Sequence, residues 1–526
     1  MDENATMIEY RRLRAPSEDR QTLIDPALEN APQLIFENRQ SLGEQSLQIG
    51  EKPLADLQAS GRAELLQLAR QYTSSYRDVD LDGQPTSPII MSGHQPKLFH
   101  PGVWFKNFVL SNLGQQLGAT PINLIVDNDI AGVASIHAPR ADADSACMLT
   151  VPIDQPGKNI PFECRSIVDI PFFREFGQRA TKAISNMVDG PLVQRLWPLV
   201  CGQLENDSNL GLVIAKGRHL LEQEAGLDTL EVPLSQIAQS RSFGELVLEI
   251  FQRMEAFQDA YNECLFQYRD VHHIRSNAHP VPPLQRENGF LETPFWIWET
   301  TNPVRRPLYI RLTDQGFHLT DRSDWQLFLD RSDFSSQFSQ LGQRGIAIRP
   351  RALVTTLYNR LVLSDLFLHG IGGAKYDQLT DSIARRFFNY QMPQYITMTA
   401  TATLPSQVDH ILPADLTRLN VLARELHFHP EDHVDQTQPS IRELVELKRH
   451  WLNQELPRGQ RMERHQQIRH CNQQLRDFAC PSPWEITREQ QQLASRLKIN
   501  RILRSREYSF CLFPDTLIED LKNLAR

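Results

Sequence analysis

Paired cysteines, long apolar runs and the common catalytic signatures are all missing from this chain of 526 residues. Its seven cysteines, at 147, 164, 201, 264, 471, 480 and 511, are odd in number and never form Cys-x-x-Cys. That excludes a disulfide framework and a thiolate zinc site, and it fits reduced thiols in a cytoplasmic protein. No run approaches the roughly 18 apolar residues that a membrane helix needs. The amino-terminal stretch carries acids and lacks an apolar core, so no signal peptide is expected. Repeats are absent, which removes solenoids and propellers. GxGxxG, GxxxxGK[ST], GxSxG and HExxH are absent too, so the enzyme classes they mark have no support. Aromatics are few, at 8%, while 40% hydrophobic and 23% charged residues make an ordinary globular chain. Its length suits roughly two to four domains.

Charge is acidic overall but uneven. The net value is −9, yet residues 438–526 carry +5 and the remainder −14. An acidic body argues against a nucleic-acid partner. The basic tail reads most simply as solvated helix.

Periodicity divides the chain into six stretches. Residues 1–85 read as mostly helical, with Leu65, Leu66, Leu68, Tyr72 and Tyr76 on one face. Residues 86–240 hold the first half of an α/β core. There a strand at Ile89–Met91, a loop, a helix ending at Gly118 and a strand at Ile122–Val126 make a βαβ unit, hence parallel pairing. Residues 241–285 read as one long helix, opened by a capping box at Ser242 and Glu245, plus a Pro-rich link. Residues 286–437 form the second half of the core, with a helix–loop–helix block from Ala352 to Tyr390 and a Thr-rich strand after it. Residues 438–480 read as a helical hairpin, opened by a box at Ser440 and Glu443 and broken at Pro457–Gly459. Such a hairpin serves equally as a dimer arm or as packing for its own domain. Residues 481–526 return to the core, with a closing strand in Ser505–Pro514.

Chemistry concentrates in three places. The loop Ser92–Asn107 places Gly93, His94 and Gln95 at a strand end, and His100, Gly102 and Lys106 at the start of the next helix. A helix N-terminus there offers free N–H groups to phosphate or carboxylate. Asp127 and Asp129 end the second strand, where they would sit beside that loop and take protons, hold an amine or hold Mg²⁺. The glycine-rich turn His369–Asp377, read as a helix–helix link, carries Gly372, Gly373, Lys375 and Tyr376, with Lys375 able to meet a phosphate. His427, His429 and His433, with Asp432, have metal-capable side chains but lie in an irregular polar stretch without a second anchoring segment, while His272, His273 and His279 are explained as helix-end or turn residues.

These motifs, in this order, resemble the bacillithiol biosynthesis cysteine-adding enzymes. Gly93-His94-Gln95-Pro96 stands where that family has Gly-Gln-Gln and a small residue or Pro. Asp127 and Asp129 match its acidic strand end, without its His. Gly372 and Gly373 match the start of its Gly-Gly-Pro-Gly-Glu, followed here by Ala374, Lys375 and Tyr376. The likeness covers most of the chain in order and is sharp near residues 88–130 and 346–395. It implies a nucleotidyltransferase-like Rossmann core with inserted connecting segments and a dimerising hairpin. It implies a ligase that joins an amino acid, cysteine in that family, to the amine of a small sugar-derived acceptor, with ATP or ADP and Mg²⁺ as companions. Gly93, His94, Gln95 and His100 would then stabilise developing negative charge, Asp127 or Asp129 would serve the acceptor amine, and Gly372, Gly373 and Lys375 would close the nucleotide side. A nucleotidylyltransferase on another small molecule, and a non-catalytic nucleotide-binding or assembly protein, remain as alternatives.

Overall fold

A computed structural model describes residues 8, 13–44, 47–50, 52–79, 87–142, 145–275, 281–406, 413–455, 457 and 461–526. Residues 80–86, His279 and most of the Pro457–Gly459 break lie outside these residues. The chain divides into two compact units, one of residues 1–138, 150–404 and 506–526, the other of 139–149 and 405–505. Thus residues 413–437, read with the core, and 481–505, read as returning to it, belong with the hairpin.

In chain order, the large unit carries β1 (Gln21–Asp25), α1 (Ala31–Glu44), α2 (Leu54–Ser74), β2 (Ile89–His94), α3 (Pro101–Leu117) and β3 (Thr120–Ile125). Then follow α4 (Leu210–Glu224), β4 (Leu230–Pro233), α5 (Arg241–Gln252) and α6 (Met254–Val271). Five strands come next: β5 (Phe290–Glu299), β6 (Asn302–Leu312), β7 (Gly316–Thr320), β8 (Gln326–Asp330) and β9 (Ile346–Pro350). The unit's second half then runs through β10 (Leu366–His369), α7 (Ile371–Phe388) and β11 (Tyr395–Thr401).

The fold is α/β. Its main sheet runs β1-β11-β10-β2-β3-β4, with every neighbouring pair parallel except β1 and β11. Both faces are covered, which is why its strands read as short apolar runs rather than alternating ones. Ile89, Met91 and Phe367 pack with α2, α5, α6 and α7, while Ile90, Leu366 and Leu368 pack with α3 and α4. From β2 the chain steps outward through β3 to β4. It later restarts at β10, on the other side of β2, and steps outward to β11. The crossovers on the two sides lie on opposite faces, so β2 and β10 flank the point where the winding reverses. Open parallel sheets take ligands there, beyond the carboxyl ends of the strands.

Several expectations change. The Thr-rich strand is present as β11 in the main sheet, but residues 286–350 build a separate antiparallel sheet, β8-β7-β6-β5-β9, with β9 beside β5. The block from Ala352 to Tyr390 is not helix–loop–helix. A short helix (Ala352–Tyr358) and a π-turn (Asn359–Leu363) lead into β10, so the glycine turn joins a strand to α7. The long helix is two, parted at Arg253, and its cap is Ser240, whose side chain accepts from Phe243 N–H; Ser242 instead meets Tyr358 at 2.6 Å. The closing strand is a 3₁₀ turn at Phe510–Leu512.

The small unit holds four helices, α8 (Pro413–Phe428), α9 (Pro439–Asn453), α10 (Arg461–Arg476) and α11 (Pro483–Leu503). The hairpin is α9 and α10, sealed by Ile441, Val445 and Leu475. Gln438, not Ser440, precedes α9, and no side chain caps it. Lys448, on the buried stripe, donates to Phe428 O at 2.8 Å and pairs with Glu431.

Candidate functional site at the carboxyl edge of the sheet

β2 and β10 end side by side: Ser92 pairs with Leu368, and its hydroxyl donates to Leu368 O at 3.1 Å. Two segments picked out by sequence, the Gly93–Lys106 loop and the Gly370–Tyr376 turn, therefore start from neighbouring strand ends. Gly93 is needed because β3 passes close; a Cβ there would lie 3.0 Å from Leu124 O. Lys106 bends back from α3 to donate to Gly93 O at 2.8 Å. It is 3% exposed, and no carboxylate pairs with it among the described residues. Burial alone brings its ammonium down to about 8. Burial, then the charge of Lys106, pushes His94 down to about 3, so its ring is neutral. Its Nδ1 lies 3.2 Å from Gln95 O, to which it donates, and it meets Phe99 edge-on.

Gln95 and Asp129 do come together. Gln95 Nε2 donates to Asp129 Oδ2 at 3.2 Å, and Ile130 N–H and Arg305 Nη1 donate to Oδ1 at 2.9 and 3.0 Å. Burial works to raise Asp129, but these donors hold it below the usual carboxylate range. Arg305 comes from β6, and its guanidinium lies 4.6 Å from the Trp296 ring. Arg351 lies 4.1 Å from the same ring and donates to Glu292 at 2.6 Å. Its Nε and Nη1 are buried without a hydrogen-bond partner. Sequence reading missed Trp296, Arg305 and Arg351, which the second sheet brings in from far along the chain.

Three expected site residues do other work. Asp127 is fully buried, accepting from Ser235 N–H at 2.9 Å and from its hydroxyl at 2.5 Å. Burial and Glu163 push it up to about 7. Its carboxylate holds the turn after β4, while the preceding Val126 N–H donates to His94 O of the loop at 2.9 Å. His100 caps α3, Gly102 N–H donating to its Nδ1 at 3.1 Å. Gly102 is a packing glycine: a Cβ would lie 2.3 Å from both Ala400 O and Arg506 Nη2. Val103 and Trp104 N–H donate to His100 O at 3.0 and 3.2 Å, so the first N–H groups of α3 are taken up by protein rather than open to an anion.

The N-terminus of α7 is different. Gly370 precedes it in extended conformation, no side chain caps it, and a Cβ at Gly372 would touch nothing within 4 Å. Lys375 is exposed in the same turn, and the Tyr376 ring lies 6.3 Å from that of Tyr268. Uncapped first-turn N–H groups of this kind are the donors from which helix N-termini can bind anions.

One cluster has metal-ligand chemistry: His219, Glu222 and Glu231, all buried, within 4.8 Å of one another. A cation is already in place. Arg218 donates to Glu222 at 2.8 and 2.9 Å and to Glu231 at 2.5 Å. Trp104 and Asn107 donate to Glu222 as well, at 2.7 and 2.8 Å, and Asn123 to Glu231 at 2.6 Å. The carboxylate lone pairs are spent, so the network is a structural tie between α3, α4, β3 and β4. The histidines at 427, 429 and 433 pair separately with Arg476, Glu431 and Glu425.

The fold and site define an α/β protein with a basic, glycine-lined edge at its winding reversal. No family model matches the chain, and no curated protein matches it. Among the described residues no helix is long and apolar enough to cross a membrane.

Proposed function

We propose that this chain is a nucleotide-dependent ligase on a Rossmann-type, nucleotidyltransferase-like core. It joins an amino acid, cysteine by the resemblance, to the amine of a small sugar-derived acceptor. The observation that carries the reading is Lys106. A buried ammonium with no carboxylate beside it is costly, and a ligand phosphate or carboxylate at the strand ends supplies its counter-charge. The open first turn of α7 and the unpartnered N–H groups of Arg351 support the same reading, giving anionic groups two further donors. Gln95, held by Asp129 and Arg305, lines the loop with its orientation set. Asp127 and Asp129 both accept protein donors already, so they are no ready Mg²⁺ pair; the metal would arrive on the phosphates. We read the α9–α10 hairpin as a homodimer contact, supported by Leu447, Leu452 and Met462, which stand 43%, 45% and 68% exposed.

Thermal unfolding with ATP, ADP, CTP and free cysteine, each with and without Mg²⁺, tests the ligand class. A nucleotide at about 100 times its dissociation constant stabilises by about 2.7 kcal/mol. A shift seen in the wild type and lost in Lys106→Met supports the reading. No shift with any nucleotide counts against both enzyme readings. Sedimentation of Leu452→Glu against wild type tests the dimer.

A further inference from the structure

β10 ends in His369, the first residue of the glycine-rich turn and one to which the sequence reading gave no role. The His369 side chain is 5% exposed, and its Nε2 lies 2.6 Å from Asp377 Oδ2. Asp377 is held in turn by Arg360 Nη1 at 2.8 Å. Burial works to raise Asp377, but His369 and Arg360 outweigh it and keep it well below the usual carboxylate range. The ring is wedged between Phe367 and Tyr395, with centroids 4.6 and 4.9 Å away, and has one orientation. Its other nitrogen, Nδ1, points at the first turn of α7. A Cβ at Gly373 would lie 2.7 Å from it. No described residue hydrogen-bonds Nδ1. A buried ring whose Nε2 lies in ion-pair contact with a carboxylate, and whose Nδ1 takes no hydrogen bond from any described residue and faces a helix N-terminus, is the arrangement of a ligand-contacting histidine.

We propose that His369, with Nε2 toward Asp377 and a proton on Nδ1 to donate, and the backbone N–H groups of Gly372 and Gly373 together bind a phosphoryl group of the ligand, with Asp377 and Arg360 positioning the ring. This rests on the reading of the strand ends as an anion site, and it places the phosphate at α7 rather than at α3. Gly373 is then glycine because any side chain would cover the nitrogen that the phosphate needs. His369 does what the signature residues of phosphate loops do elsewhere, from a position that no short motif marks.

Glutamine at 369 separates the two ring nitrogens, since its amide reaches Asp377 as Nε2 does while offering nothing where Nδ1 stood. Calorimetric titration of inorganic pyrophosphate into wild type, His369→Gln and Lys106→Met decides the matter. The expected result is affinity at least 10-fold weaker in His369→Gln, with the melting temperature close to wild type. Should His369→Gln fold poorly, Gly373→Ala serves instead: it adds a methyl against Nδ1 on an exposed turn and should cost a similar factor. Pyrophosphate binding that falls in Lys106→Met but is unchanged in His369→Gln and Gly373→Ala overturns the assignment of His369 alone. Absence of binding to wild type, or binding indifferent to all three substitutions, overturns the anion site and this assignment with it.

Discussion

Replacing Lys106 with methionine should make the protein more stable and unable to hold its anion. The ammonium is 3% exposed and donates only to Gly93 O, at 2.8 Å. An ordinary lysine titrates near 10.5, whereas burial brings this one to about 8. That difference corresponds to about 3.4 kcal/mol. The direction is downward, so the folded protein gives up this proton before the unfolded chain does. At about pH 7 both states are protonated and the folded state bears the whole cost. Between about pH 8 and 10.5 the unfolded chain binds more protons, so stability from this group rises with pH, and above that range the cost is gone. Methionine removes the charge but leaves Gly93 O without a donor, which costs about 1 kcal/mol. The net expectation is a gain of about 2 kcal/mol at about pH 7 that vanishes, then reverses, by about pH 10.5. Urea unfolding of both proteins across that range measures it. A variant less stable than wild type at neutral pH would show that Lys106 finds its counter-charge within the chain, and would refute the argument for a ligand anion.

Four further outcomes follow from the same geometry. Asp127→Asn should leave pyrophosphate affinity within about 2-fold of wild type, because the carboxylate is sealed under Ser235; calorimetry reads it. Burial raises the Asp127 carboxyl to about 7, so its folded form resists ionisation. Its contribution to stability should therefore fall as pH rises from about 4 to 7, and Asp127→Asn should remove that slope in urea unfolding. Gly102→Ala should destabilise by about 2 kcal/mol or more, since its Cβ would meet Ala400 O at 2.3 Å; denaturant midpoints check it. Arg218→Met should cost about 3–5 kcal/mol by leaving Glu222 and Glu231 buried and unpaired, while EDTA should not change the wild-type melting temperature.

Much of the first βαβ unit was legible because it is built from local signals. Pro101 at a first helical turn and Gly118 closing α3 with φ 59° are read directly from sequence. β10 was not legible. Its four residues, Leu366–His369, sit in an apolar run that continues from the preceding helix, and a short buried strand has the same pattern as a buried helical turn. Misreading it turned a strand–helix junction into a helix–helix link and hid what the glycines face. The antiparallel sheet explains the other gap. Nothing local says that Arg305 reaches Asp129 across 176 residues, as the 3.0 Å contact does.

The motif glycines show why glycine alone is weak evidence for a ligand. Gly93 and Gly102 are small because β3 and β11 pass them closely; both would clash with protein if enlarged. Gly372 meets nothing, and Gly373 meets only the ring of His369. The same residue type thus marks packing in the first loop and open space in the second. What separates the two is charge without a partner. α3 has its N-terminus capped and its neighbouring carbonyls satisfied, so it asks for nothing. The strand ends below it hold a buried ammonium and, next door, an uncapped helix and a half-used imidazole. A folded chain that keeps such groups at a stability cost points to a functional reason for them, and in the reading we propose an anion completes all three.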